Sequence, residues 1–222
     1  MLRAVLRDVL KLRRETQPDA DRPRVLNVGG YNKTIAMPPH FAGWKQVLLD
    51  IDPQSGADVV CDARDLQSRL AAQFDAVYCS HNLEHYFAHD VPKVLSGFHH
   101  VLKPDGFVEL KVPDIQALME HLVRYRMGLD DALYASPFGP VTALDVIYSF
   151  GKEIEESGNA FWAHKTGFSP NRLERAVKQA GFPSVFLTLS PEHVEVRALA
   201  FKQAPTPAQA ALLALPGTTA SP

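Results

Sequence analysis

The residues best suited to chemistry in this chain are acids and histidines that follow short apolar runs. Asp50 ends the run in Leu49-Asp-Ile-Asp52, and Asp62 follows another in Cys61-Asp-Ala63. An ionised carboxylate only accepts hydrogen bonds, so it suits a diol or an exocyclic amine. Asp50, with Ile51 beside it, is placed to accept both hydrogens of a ribose diol; the alternative is a solvated acid before Pro53. Asp62 can accept from an adenine amine while the neighbouring Ala63 amide donates to the ring, or it can cap a helix starting near Asp65. Ser80 and His81 follow the run Phe74–Cys79. A histidine titrates near neutrality and can take a proton from a hydroxyl or ammonium nucleophile. His81 is the first candidate for that role. For His85 and His164, a packed ring bonded to backbone is the simpler account.

Other features narrow the choice. The segment Asn27-Val-Gly-Gly-Tyr-Asn-Lys33 places Gly29 and Gly30 after an apolar run, where backbone without a Cβ can approach a ligand closely. It is not the dinucleotide fingerprint, because Tyr31 and Lys33 stand where later glycines are needed. That counts against a dinucleotide oxidoreductase. His81-Asn-Leu-Glu-His85 spells the inverted zinc-peptidase signature, in which two histidines on one helical face bind the metal. His81 falls at a strand end, however, before any helix begins. Tyr148 and Trp162, with Phe138 and Phe161, can wall a substrate pocket or pack a core.

Alternating elements must position these residues. Strands are predicted at Arg24–Val28, Lys45–Ile51, Asp58–Cys61, Phe74–Cys79 and Phe107–Val112, nearly continuous in hydrophobicity, as in a parallel sheet covered on both faces. Helices are predicted over Asp65–Ala72, from an Asp90 cap through Leu102, from Pro113 through Val123, and over Asn171–Ala180. Lys103–Gly106 reads as the turn into the fifth strand. Ser184–Leu189 and Val194–Phe201 read as a closing strand pair. The fold class is therefore α/β, an open doubly wound sheet whose ligands bind at the carboxyl ends of the strands.

Residues 22–202 form the main domain, with 127–169 as an insertion or lid. Leu2, Val5, Leu6, Val9 and Leu12 give residues 1–18 an amphipathic helix, and the Ala-, Pro- and Thr-rich residues 203–222 read as a flexible tail. A net charge of −2 gives no general case for nucleic acid. No window is apolar enough for a membrane span, and the first residues do not read as a signal peptide. Two cysteines are too few for a disulfide scaffold, so buried reduced thiols and a cytoplasmic location are expected.

Phe74-Asp-Ala-Val-Tyr-Cys-Ser-His-Asn-Leu-Glu-His85 and His100-Val-Leu-Lys-Pro-Asp-Gly-Phe107 resemble the fourth-strand region and following turn of class I S-adenosylmethionine (SAM)-dependent methyltransferases, closest to the predicted-methyltransferase (type 11) group. Gly43–Ile51, Ala57–Asp62, Val112-Pro-Asp114 and His164–Ser169 through Phe182 resemble further segments of that group in the same order. The resemblance covers roughly residues 24–200. It implies a Rossmann-like seven-stranded sheet with the last strand antiparallel, and SAM bound across the first four strand ends, leaving S-adenosylhomocysteine as product. By position, Gly29 and Gly30 would meet the methionine part and Asp50 the ribose. Asp62 and Ala63 would meet the adenine, and Ser80 and His81 would lie near the sulfonium and the acceptor. No metal is implied. The chain departs from the family where Asn27 replaces an acid and where Tyr31 and Lys33 replace glycines.

The leading expectation is methyl transfer to oxygen or nitrogen of a small-molecule or sugar-type acceptor, with His81 as proton acceptor. A methyltransferase fold serving as a binding or scaffold protein is the second reading, motivated by the altered loop. A zinc hydrolase using His81, Glu84 and His85 is the third.

Overall fold

Short runs of Val, Leu and Phe between turn residues form strands because branched and aromatic side chains suit a pleated, buried surface. The computed structural model describes residues 22–136 and 139–216. The helix expected over residues 1–18, and Phe138, lie outside the described residues. Five strands come first: β1 (Arg24–Val28), β2 (Lys45–Asp50), β3 (Val59–Val60), β4 (Phe74–Ser80) and β5 (Leu102–Pro113). A hairpin follows, β6 (Ala132–Ser136) with β7 (Gly139–Thr142), and then β8 (Ser184–Ser190) and β9 (Glu195–Phe201). The main sheet has seven strands in the order β3-β2-β1-β4-β5-β9-β8. Its first five strands pair in parallel, and β9 runs antiparallel to both neighbours. This is the doubly wound sheet expected.

The order reverses at β1. The chain winds outward to β2 and β3, then returns to place β4 on the other side of β1. Loops leaving β1 and β4 therefore diverge and open a crevice at the carboxyl ends.

The helices are α1 (Leu66–Arg69), α2 (Val91–Val101), α3 (Ile115–Tyr125), α4 (Ala143–Tyr148), α5 (Gly151–Ser157), α6 (Pro170–Gln179) and α7 (Pro207–Leu212). The 3-4 stripe of α2 buries Val91, Val94, Leu95, Phe98 and Val101. It packs with Leu26, Val77, Leu110 and Phe182 on one sheet face, and the buried Cys61 and Cys79 belong to the same core. The other face buries Val25, Phe41, Ala76, Phe107 and Phe201.

Local chemistry shifts several boundaries. Asp90 stands at the N-cap of α2 without capping it, and its carboxylate instead accepts from Arg64 Nη1 at 3.2 Å. Pro113 ends β5, and Asp114 caps α3 by accepting from the Gln116 and Ala117 amides, each at 3.1 Å. Lys103–Gly106 does not separate a helix from a strand. Leu102 pairs with Phe74 and Phe107 with Ala76, so the turn is an excursion within β5, where Lys103 Nζ meets Asp75 Oδ1 at 2.7 Å. Periodicity located these elements, but it carried no information on which polar side chain would turn toward backbone. A buried carboxylate also escaped notice: Glu109 in β5 accepts from Arg197 Nε at 2.6 Å and lies 2.7 Å from His40 Nε2.

The flexible tail needs correction. Thr206 and Gln209 form a reciprocal capping box at the start of α7, and Ala210, Leu213 and Leu215 are buried in the second core. Replacing Leu213 by Ala is predicted to destabilise the protein by about 2–4 kcal/mol in urea unfolding. Deleting residues 203–222 should cost at least as much, whereas unchanged stability in both would restore the flexible account.

Candidate active site

The loop after β1 is held by its own neighbours. Gly29 has φ +73°, and its amide donates to the Leu49 carbonyl at 2.8 Å. A Cβ at Gly29 would collide with the Asn82 side chain, and one at Gly30 with the side chains of Asn27 and Leu48. Asn82, a residue the sequence reading passed over, thus lies across the glycine turn from the end of β4. Asp50 is buried. Its Oδ2 accepts from the Tyr31 amide at 3.0 Å and its Oδ1 from the Asp52 amide at 2.9 Å. One carboxylate therefore ties the loop after β1 to the turn after β2. A carboxylate has about four lone-pair sites, so each oxygen can accept once more. Ile51 is partly buried beside it.

Asp62 is committed locally. It caps the 3-10 turn Ala63–Asp65 through the Arg64 amide at 2.9 Å and accepts from Arg64 Nε and Nη2 at 3.0 and 2.7 Å. Burial works against its charge, but Arg64 outweighs that and keeps the carboxyl below its usual range. The capping alternative is the contact observed, and Ala63 beside it is fully buried.

On the other side of the crevice Ser80 ends β4, and His81 follows in the left-handed region with φ +48°. The His81 amide donates to Lys111 O at 2.9 Å. Its Nε2 lies 2.8 Å from Glu195 Oε2 and its Nδ1 3.5 Å from Glu84 Oε1. Crowding by protein opposes its charge, yet Glu195 and then Glu84 prevail and raise its pKa to about 9. Held between these two carboxylates its protonated form is favoured, so accepting a proton from a substrate would mean giving up those pairings. Glu195 also meets Lys111 Nζ at 3.3 Å. Burial raises its pKa, but His81 and Lys111 carry it below the usual range.

The zinc-peptidase geometry is not formed either. Leu83–His85 is a single 3-10 turn, so His81 and His85 share no helical face. The structure instead gathers Glu84, His85 and His164. Glu84 is 1% exposed, and neither carboxylate oxygen has a hydrogen-bond partner. Burial pushes its pKa up, but the surrounding histidines, His81 first, bring it below the usual range. His85 Nδ1 donates to the Ala163 carbonyl at 3.2 Å and His164 Nδ1 to the Val146 carbonyl at 3.0 Å. Burial lowers the pKa of His164, which keeps its ring neutral.

A cavity of about 210 Å³ adjoins this cluster. His81, His85, Trp162 and His164 line it as candidate acceptor contacts, joined by Tyr134 and Phe150 from the inserted segment. Tyr148 is not among them, since its side chain faces solvent at 63% exposure. Trp162 also approaches Tyr31, with ring centroids 6.1 Å apart, so it stands between the cavity and the loop after β1. Tyr134 and His193 were missed because they depend on a hairpin and a closing turn that periodicity did not reveal, and Phe150 because it lies between two short helices.

A methyltransferase-domain family profile matches residues 1–185. The chain belongs to that family. It is a class I, SAM-dependent methyltransferase, and the scaffold and zinc-hydrolase readings give way to it. Solved structures share the fold. A SAM-dependent methyltransferase from Archaeoglobus fulgidus is 16% identical, with 87% of this chain and 92% of that one covered and a TM-score of 0.52. A protein from Pyrococcus horikoshii is 16% identical over 91% of each chain, with a TM-score of 0.55. An O-methyltransferase family protein from Burkholderia thailandensis is 12% identical over 89% of this chain and 56% of its own, with a TM-score of 0.51. No curated protein sequence matches the chain.

Because the folded pKa of His81 lies above its ordinary value of 6.5, its contribution to stability is complete below about pH 6.5. That contribution is lost as pH rises through about 9. The His81 ring signals in NMR should titrate near pH 9 and move toward the ordinary value in Glu195→Gln. A midpoint near 6.5 in the unmodified protein would contradict the bracketed geometry.

Proposed function

We propose that this methyltransferase moves the methyl group of SAM to an oxygen or nitrogen of a small-molecule or saccharide acceptor held in the cavity beside His81. The observation that carries the reading is Asp50. It is a buried carboxylate at the end of β2, beside the switch in strand order, with a lone pair left on each oxygen for a vicinal diol. The same residue positions the amides of Tyr31 and Asp52. Gly29 and Gly30 then face the methionine part, and Ala63 with Asp62 the adenine. Asn27 lies under this loop without adding a charge.

When bound, SAM supplies an electrophilic methyl on a sulfonium. The chain's part is alignment, because methyl transfer is an in-line displacement whose rate depends on orientation. Trp162 and Phe150 shield the cavity from water. His81, next to Ser80 at the end of β4, borders it. Held by Glu195 and Glu84, His81 presents its ring at the cavity wall and so shapes how an acceptor lies. It can take a proton only as pH approaches about 9.

The test combines binding and transfer. S-adenosylhomocysteine should raise the melting temperature by mass action, and Asp50→Asn should weaken its binding at least tenfold, or about 1.4 kcal/mol. Labelled methyl from SAM should pass to members of a panel of hydroxylated and aminated acceptors. No thermal shift at millimolar S-adenosylhomocysteine, or full affinity in Asp50→Asn, would refute the assignment.

A further inference from the structure

We propose that Glu84, His85 and His164 bind one divalent transition-metal ion whose open coordination positions face the cavity, where the ion holds an acceptor through two adjacent oxygens. The second half of this rests on the methyltransferase reading above, whereas the metal site does not.

Glu84 is an almost wholly buried carboxylate with ion-pair neighbours but no hydrogen bond to either oxygen. A buried charge is costly unless it is paired and hydrogen-bonded, or bound to a metal. His81 Nδ1 faces Oε1 at 3.5 Å, which pairs charge with charge but leaves both carboxylate oxygens without a hydrogen bond.

The two nearest imidazoles are arranged as ligands. Each donates Nδ1–H to a main-chain carbonyl, Ala163 for His85 and Val146 for His164. That bond sets the tautomer and, in a neutral ring, leaves a lone pair on Nε2. An outer hydrogen bond of this kind characterises metal-ligating histidines. The rings lie 4.8 Å apart at 65°, and His164 Nε2 is 3.9 Å from Glu84 Oε1. One nitrogen of each ring and one carboxylate oxygen all lie within 4.8 Å of one another. Ligands at about 2.0–2.2 Å from a common ion stand roughly 3–4 Å apart, so small side-chain rotations close the site. Without a metal ion, the three ligand atoms of Glu84, His85 and His164 set lone pairs against one another.

The donor set indicates the ion. Two imidazoles and one carboxylate suit Zn²⁺ or a neighbour such as Co²⁺ better than Ca²⁺ or Mg²⁺, which prefer oxygen throughout. Three protein ligands leave positions open, as in catalytic rather than structural sites. His85 and His164 line the cavity, so those positions face the acceptor. A hydroxyl on such an ion loses its proton to water more readily. The resulting oxygen pair attacks the methyl carbon, and the carbon–sulfur bond breaks with its electrons staying on sulfur to give S-adenosylhomocysteine.

The experiment titrates Co²⁺ and Zn²⁺ into chelator-treated, full-length protein, followed by visible absorption and calorimetry. S-adenosylhomocysteine affinity is measured on the same samples. One equivalent should bind, with d–d bands of nitrogen and oxygen ligation. Glu84→Gln and His164→Ala should each weaken binding at least tenfold, while His193→Ala, which alters a cavity histidine outside the cluster, leaves it unchanged. Non-saturating binding, or full affinity in both cluster variants, overturns the site. Acetohydroxamate, a bidentate oxygen chelator, should shift the Co²⁺ spectrum, and no shift overturns the acceptor role. Normal metal binding without S-adenosylhomocysteine binding would defeat the methyltransferase reading and leave the metal site standing.

Discussion

A negative charge buried beyond the end of β4 organises the histidine cluster beside the cavity. Glu84 cannot sit there without compensation, and everything around it supplies some. Its carboxylate draws in His81, which in turn recruits Glu195 of β9 and, through it, Lys111 of β5. Its main-chain carbonyl accepts from the amides of Lys165 and Thr166 at 2.8 and 3.2 Å. His164, held to α4 through Val146, completes the circle. One short turn thereby fixes the return of the inserted segment to the sheet. Breaking such a cluster at one member leaves a bare buried charge, so its parts act as a unit.

The loops after β1 and β2 depend on a second carboxylate used differently. Asp50 meets backbone amides instead of side chains, and so fixes the shape of two loops at once. Its partners are rigid main-chain donors, which suits a ligand that is the same in every turnover. The Glu84 side is built from histidines and from aromatic groups of a separate segment, including Trp162 and Phe150. That division matches a fold in which cofactor binding belongs to strand ends and acceptor choice to the insertion.

Much of the sheet could be read in advance. Parallel strands buried on both faces appear as unbroken apolar runs, so β1, β2, β4 and β5 stood out, and motif order supplied their arrangement. The stripe of α2 was equally plain. What escaped depends on contacts between distant residues. The role of His81 turned on Glu195, which lies 114 positions away. The capping choice at Asp62 turned on the guanidinium of Arg64. Tyr148 looked like a pocket aromatic and Tyr134 did not stand out, yet the hairpin of β6 and β7 brings Tyr134 to the cavity while Tyr148 faces solvent. In the tail, low-complexity composition concealed the buried contacts of Leu213 and Leu215.

The central claim is that the cofactor lies across the strand ends at the switch in sheet order, held by Asp50. Amide hydrogen exchange with and without S-adenosylhomocysteine tests this directly, because a bound ligand protects the amides it orders. Protection should concentrate in residues 28–32, 50–52 and 61–64, with a smaller effect at 80–82. Saturation by the ligand with no protection in those segments, or protection confined to another face of the sheet, would contradict the account.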